Sequence, residues 1–264
     1  MLKFEMPEIE EIYKGVGVSK GLDRGLLVYH NGALLVEEGM AIGACAFQTG
    51  GFTYFASIKS IERIGSFIEV ESHIDTRLEF SVLGIRSKLI TKSQEALAKY
   101  FYMKQENWQE QLLKNSDIIR KFFNVNLCFV KVPSLGIVKT VYEVGDGIVK
   151  TDLSCCAECG GKLFVMNELG GSKFDKSIVD GEISCPPSGW QKIVTMCELY
   201  SDNHSLAFSM EEDSVPENIK SSLYWGREYI EGVCSWSGFE SEIKCSSGKF
   251  ENYRYSVVFR RVTR

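Results

Sequence analysis

One short turn contains the pair of cysteines best suited to metal or redox chemistry, Cys156-Ala157-Glu158-Cys159-Gly160-Gly161. A C-x-x-C-G-G turn can direct two thiolates at one point, as in half of a tetrahedral zinc site. The chain has no second C-x-x-C or paired-histidine motif, so the other two ligands would have to be distant cysteines. The candidates are Cys185, Cys197, Cys234 and Cys245.

Two other interpretations of this turn stay open. One is a redox pair, but a redox C-x-x-C motif usually opens a helix, and strand-like sequence lies on both sides here. The other is a tight turn without a metal, which we favour because several of the nine cysteines lie in apolar, strand-like runs typical of buried, reduced thiols. We therefore expect no cofactor, with zinc at Cys156 and Cys159 as the alternative.

A second set of polar residues alternates along a predicted strand that begins near Ser66. Its apolar partners Ile68, Val70 and Ile74 should form the core, since burying each contributes about 1.5–3 kcal/mol, and the polar side should then face solvent. If that side lined a cavity instead, an imidazole beside carboxylates could do acid–base chemistry. The polar stripe is Glu69, Glu71, His73, Asp75, Arg77 and Glu79. The candidate catalytic residues are His73, His204 and Glu71.

Aromatic residues make up 12% of the chain and are frequent in its last third. In β proteins such side chains mostly fill the core, but they can also line a pocket for a sugar or another small, partly apolar molecule. The candidate pocket residues are Trp190, Trp225, Trp236 and Phe239.

These candidate residues should lie mainly on β-strands, because hydrophobic residues recur along the chain with a period of two. An Asn31-Gly32 pair between two apolar runs predicts a two-residue hairpin with a type I′ turn. The exception lies between Ser93 and Phe123, which has no Gly or Pro and an apolar stripe at helical spacing. There we predict one long α-helix or two short ones.

The fold class predicted is mainly β, with antiparallel barrel- or sandwich-like sheets in two halves and the helix or helices inserted mid-chain. The predicted boundaries are an N-terminal β half over residues 1–91, a helical connector over 92–124 and a C-terminal β half over 125–264. The layout of antiparallel strands with an external helix is similar to a lipocalin-like barrel in architecture only.

Composition limits the partners and the compartment. A net charge of −5 and a pI of about 5.5 argue against general affinity for nucleic acid or anionic membranes. The acidic N-terminus lacks the apolar core of a secretory signal, and no apolar run is long enough for a spanning helix. We expect a cytoplasmic protein, with homo-oligomer formation through the 93–123 helix as one option.

Three functional interpretations follow. The first is a cytosolic binding protein whose β-enclosed pocket takes a small, partly apolar ligand. The second is an enzyme that uses the same pocket with a histidine–carboxylate acid–base pair. The third is a non-catalytic structural or assembly protein. A histidine and a carboxylate that converge in the pocket would favour the enzyme over the binding protein.

Overall fold

The structure, a computed structural model, describes residues 1–6, 21–36, 40–82, 85–86, 125–185, 189–192, 197–214, 222–230 and 233–262. Within these ranges every regular element is a β-strand. The mainly β, antiparallel prediction is therefore confirmed, whereas the predicted helix over 93–123 lies outside the described residues. Among the described residues, no helix is long and apolar enough to cross a membrane.

A small sheet comes first in the chain and contains three strands in the order β1-β2-β3. The strands are β1 (Leu2–Glu5), β2 (Leu27–His30) and β3 (Ala33–Leu34). Asn31 and Gly32 join the last two with φ angles of 51° and 83°, which a type I′ turn requires. The predicted hairpin is confirmed, with His30 paired to Ala33.

The remaining strands form one large antiparallel sheet. Its first strands are β4 (Ile42–Thr49), β5 (Phe52–Ile64), β6 (Phe67–Val82), β7 (Ile85–Arg86), β8 (Val125–Lys131), β9 (Gly136–Val144), β10 (Ile148–Ala157) and β11 (Gly161–Gly170). Next come β12 (Lys176–Val179), β13 (Glu182–Ser184), β14 (Gly189–Lys192), β15 (Cys197–Ser201) and β16 (Leu206–Ser214). The chain closes with β17 (Ser222–Ile230), β18 (Val233–Cys245) and β19 (Phe250–Arg261).

The strand order in this sheet is β13-β12-β15-β16-β19-β10-β9-β6-β5-β4-β11-β18-β17-β14, with β7 and β8 added to β6. In the described part of the chain the two end strands do not pair with each other, so neither a closed barrel nor a lipocalin-like one is confirmed. A twisted sheet of this width folds over to bury its apolar side. Here β18 meets β19, since Ser241 Oγ lies 2.6 Å from Tyr253 Oη, and the result is sandwich-like.

Strands from both predicted halves pair within this sheet, because β4 pairs with β11 and β6 pairs with β9. The core lies between the two layers, where Phe208 meets Phe239 edge-on with ring centroids 5.3 Å apart. Where the domain boundaries fall stays a prediction.

A β-bulge in β6 changes which residues share a face. Phe55 pairs with Thr76 and the next residue pairs with Ile74, so Asp75 is an extra residue in the strand. One extra residue shifts every later side chain to the opposite face. Ile68, Val70 and Ile74 are buried as predicted. The prediction that Arg77 continues the polar stripe is wrong, because its guanidinium lies 5.2 Å from the centre of the Phe52 ring, beyond the bulge.

Candidate functional site

The face of strands β4, β11 and β18 that points away from the main core carries carboxylates. Directly paired residues of neighbouring strands lie on one face. Met166 of β11 pairs with Ala44 and with Glu240, and Glu168 pairs with Gly238. We call this surface the acidic face, and it comprises Ala44, Ala46, Met166, Glu168, Gly238 and Glu240. The residues between them on β11, such as Val165, point into the core.

Most of the acidic face is apolar and buried. Ala44, Ala46 and Met166 form a small cluster of their own, against which Phe55 and Phe164 pack. Glu168 follows on the same side of β11 and is only 4% exposed. Burial of a carboxylate is costly, so its position on an apolar surface marks it as a functional candidate.

The position opposite Glu168 must be glycine. A Cβ on Gly238 would lie 2.2 Å from the carbonyl oxygen of Asn167, which is too close for any side chain. Gly238 is paired in turn with Gly226 on β17. Beside Glu168 the two neighbouring strands therefore carry glycine and present only backbone.

A second carboxylate lies one diagonal step from Glu168. Glu240 is two residues beyond Gly238 on β18, and diagonal neighbours on one face of a sheet are about 7–8 Å apart. Glu240 is half-buried, whereas Glu168 is almost fully enclosed. Further along β18, Glu242 forms an ion pair with Lys162 at 2.5 Å. The two carboxylates thus share one face in unlike surroundings.

The core side of β11 fixes the strand that carries Glu168. The Oδ1 atom of Asn167 accepts hydrogen bonds from the Gly43 N–H and the Tyr255 O–H, each 3.1 Å long. The Nδ2 group of Asn167 donates to Met210 Sδ at 3.4 Å. Gly43 lies where the β4–β11 register shifts and has a φ of 80°. A fully buried amide therefore holds this irregular part of the sheet together.

The β6 bulge forms a second polar cluster. The carboxylate of Asp75 accepts hydrogen bonds from Lys59 Nζ and Lys131 Nζ, both at 2.9 Å. Lys131 also donates to Ser57 Oγ, which lies 3.0 Å from Thr76 Oγ1. Burial acts to raise the pKa of Asp75, but the hydrogen bonds from Lys59, Ser57 and Lys131 outweigh it and lower the pKa to about 2. Asp75 is therefore a carboxylate at any ordinary pH.

Two predicted catalytic residues, both half-buried, meet on β6. His73 Nε2 lies 3.5 Å from Glu71 Oε1, and Glu71 Oε2 lies 3.1 Å from Lys139 Nζ. The hydrogen bond from Lys139 lowers the pKa of Glu71. Strand β6 is three positions from β11 in the sheet, or about 14 Å at the usual strand spacing. The His73–Glu71 pair is thus remote from Glu168.

The third predicted catalytic residue, His204, lies elsewhere. Its Nδ1 is 3.5 Å from Nδ1 of His30, and the two rings meet edge-on. Burial lowers the pKa of both imidazoles, and Lys173 lowers that of His204 further. The structure does not bring His204 together with His73.

The predicted pocket residues are spread over both faces of the last strands. Phe239 is fully buried in the core. For the tryptophans the structure gives backbone positions: Trp225 pairs with Phe239, and Trp236 pairs with Gly170. Trp190 pairs with Gly226, which places it in the row of Gly238 and Glu168. The positions of Trp190 and Trp236 thus fall on the side of the sheet that carries the acidic face.

The cysteine turn differs from its predicted form because β10 continues through it as far as Ala157. The thiol of Cys159 donates to Thr49 Oγ1 at 3.7 Å, and Cys156 belongs to the strand itself. Contact with Cys245, together with burial, raises the pKa of the neighbouring Cys155. Among the described residues no three His, Cys, Asp or Glu side chains group as a metal site, so the zinc alternative is not confirmed.

Sequence reasoning missed Glu168 and Glu240. In the sequence, Glu168 follows a strand-like apolar run and Glu240 lies in an alternating one, so each looks like an ordinary exposed residue. A carboxylate within an otherwise apolar stretch was the only available signal. Strand pairing alone brings the two together.

No protein-family model matches the chain, and no curated protein matches it. Solved structures resemble it weakly. A provisionally assigned aldose 1-epimerase from Escherichia coli K12 is 7% identical, with 92% of this chain and 93% of that chain covered and a TM-score of 0.44. A galactose mutarotase related enzyme from Lactobacillus acidophilus is 7% identical, with 93% and 97% covered and a TM-score of 0.40.

A heparan sulfate lyase from Pedobacter heparinus is also 7% identical, with a TM-score of 0.44. The match covers 90% of this chain but only 30% of the lyase. With TM-scores below 0.5, these likenesses establish neither a common fold nor a common activity.

Proposed function

We propose that this chain is an enzyme that binds a sugar-like, hydroxylated molecule on the acidic face and uses Glu168 and Glu240 for acid–base chemistry. The observation that carries the proposal is the position of Glu168, a carboxylate that is only 4% exposed and lies beside the apolar cluster of Ala44, Ala46 and Met166. Carboxylates held in such surroundings are frequent in active sites.

The chemistry of the face suits a sugar. A sugar ring offers hydroxyl groups at its rim and C–H groups on its faces, so it binds where carboxylates accept hydrogen bonds beside apolar or aromatic surface. Glu168 and Glu240 supply the acceptors, and Phe55 and Phe164 supply aromatic surface at the edge of the Ala44–Met166 cluster.

Two carboxylates favour catalysis over binding alone. Acid–base catalysis needs one group that donates a proton and one that accepts a proton, and carboxylates in unlike surroundings can fill the two roles. In the reaction class we propose, one carboxylate takes the proton of a substrate hydroxyl. The other, in its protonated form, donates a proton to the ring oxygen on the same carbon as that C–O bond breaks, and the hydroxyl oxygen that lost its proton forms a C=O bond in its place. The pair ends with one proton moved and its total charge unchanged.

Of the three interpretations drawn from the sequence, the enzyme agrees best with this geometry, although its acid–base pair changes. The histidine–carboxylate pair of His73 and Glu71 exists, but it is half-buried on a strand about 14 Å across the sheet from Glu168. It is therefore too far away to form one acid–base pair with Glu168. The assembly interpretation depends on the helix over 93–123, outside the described residues.

The test combines binding with turnover. Neutral mono- and disaccharides are added to the purified chain, binding is followed by saturation-transfer NMR, and changes at the anomeric carbon are followed by proton NMR. Replacing Glu168 or Glu240 by Gln should lower turnover by about 100-fold or more. Glu182→Gln, at an exposed position on β13, is the matched control and should leave turnover unchanged.

Two outcomes would contradict the proposal. If no saccharide binds, the acidic face has another role. If the wild-type chain binds saccharides but converts none, and Glu168→Gln weakens only binding, the chain is a binding protein, as the first interpretation from the sequence has it.

A further inference from the structure

The cluster at the β6 bulge contains more positive charge than its carboxylate needs. Lys59 comes from β5 and Lys131 from β8, and each donates to a different oxygen of Asp75. One lysine would neutralise this aspartate, so the three side chains carry a net charge of +1. The surplus is local, because the chain as a whole has a net charge of −5.

The two lysine ammonium groups are bound by buried side chains on one side and are partly exposed to solvent on the other. Asp75, Ser57 and Thr76 are all buried, and they are joined to one another by hydrogen bonds. The side chains of Lys59 and Lys131 are 41% and 46% exposed. An ammonium has three donors, and the contacts above use one donor of Lys59 and two of Lys131. Counting the partners in the described ranges, donors of both lysines therefore remain for a ligand from solvent.

This arrangement is suited to an anion. Two ammonium groups bound to the two oxygens of one carboxylate are close neighbours, and the carboxylate fixes them, so a ligand need not order two flexible side chains. An oxyanion with several acceptor oxygens can bridge such donors by charge-assisted hydrogen bonds. The buried hydroxyls of Ser57 and Thr76 keep the base of the cluster rigid.

The cluster is continuous with the acidic face. Phe55 packs against the Ala44–Met166 cluster, and its ring centroid lies 5.7 Å from that of Phe129. Phe129 precedes Lys131 by two residues on β8 and so lies on the same side of that strand. Aromatic surface thus connects the carboxylates at one end to the lysines at the other.

We propose that Lys59 and Lys131 form an oxyanion subsite, so that the natural substrate is a saccharide carrying a phosphate, sulfate or carboxylate group. This inference rests on the proposed function, because it gives the substrate of the acidic face a charged end. The neutral part of the molecule lies towards Glu168, and the anionic group is bound at the β6 bulge. Because β6 is about 14 Å across the sheet from β11, the substrate must be an extended saccharide that spans this distance.

The experiment measures oxyanion binding separately from saccharide binding. The full chain is titrated with inorganic phosphate, sulfate and acetate in a chloride buffer of constant ionic strength, by calorimetry and by shifts in melting temperature. Saccharides are compared with the same saccharides bearing a phosphate or sulfate ester. The variants are Lys59→Gln and Lys131→Gln, and the control is Lys150→Gln, which also removes an exposed, ion-paired lysine.

We expect at least one oxyanion to bind, with an affinity about tenfold weaker in either cluster variant and unchanged in Lys150→Gln. Charged saccharides should bind more tightly than neutral ones in wild type, and this preference should disappear in Lys59→Gln. Glu168→Gln should leave the binding of free oxyanions intact. Near-ultraviolet circular dichroism checks that each variant is folded.

Three results would overturn the inference. One is equal binding of oxyanions and chloride, and another is equal loss in Lys150→Gln, since both indicate simple screening. The third is binding of neutral saccharides with no gain from a charged group, and it would leave the proposed function standing. Conversely, oxyanion binding at the lysines without any saccharide binding would contradict the proposed function.

Discussion

The buried amide of Asn167 should be among the most sensitive positions in the chain. Replacing it with Ala leaves the Gly43 N–H and the Tyr255 O–H without their acceptor in the core. Each buried donor left unpaired costs about 1–3 kcal/mol. Two such donors predict a loss of about 2–6 kcal/mol in the free energy of unfolding, before any contribution from the small cavity.

The measurement is urea unfolding followed by fluorescence and circular dichroism, with Asn203→Ala in an exposed turn as the matched control. The control should change the free energy of unfolding by less than about 0.5 kcal/mol. Tyr255→Phe removes only one partner of the amide and should cost about 1 kcal/mol. If Asn167→Ala were as stable as the control, the hydrogen-bonded amide would not be what holds the β4–β11 irregularity.

The other predictions concern charge and close packing. Asp75 has its pKa lowered to about 2 from 3.8, so its contribution is present above pH 4 and lost as pH falls towards 2. Asp75→Asn should make the free energy of unfolding less dependent on pH in that window. The difference should be about 1–2 kcal/mol after solvent screening of the lysines. Burial lowers the pKa of His30 and His204, so the unfolded chain binds more protons and stability should fall as pH drops below about 6.5. In thermal melts, the double variant with Gln at both positions should lose this pH dependence of stability. An unchanged pH dependence would refute the prediction. Gly238→Ala forces a Cβ against backbone and should lower the free energy of unfolding in urea by about 1–3 kcal/mol. Gly160→Ala, where the nearest backbone atom to the new Cβ is at 3.8 Å, should lower it far less. Equal losses in the two variants would contradict the close approach at Gly238.

The local features of this protein follow from short stretches of its sequence. A period of two gave antiparallel strands, because alternate side chains of a strand fall on opposite faces. The Asn31-Gly32 pair gave the hairpin, because few residues other than Asn and Gly accept positive φ at both positions. The buried side of early β6, at Ile68, Val70 and Ile74, followed from the same alternation.

The proximity of Glu168 and Glu240 follows from long-range strand pairing and is not visible in the local sequence. The single extra residue at Asp75 reverses the faces of β6, and nothing in the alternating sequence marks that position. Glu168 and Glu240 are 72 residues apart in the chain and become neighbours through the pairing of β11 with β18. Long-range pairing and bulges depend on how whole faces pack, whereas strand formation depends on adjacent residues. The strands were therefore predictable and the candidate site was not.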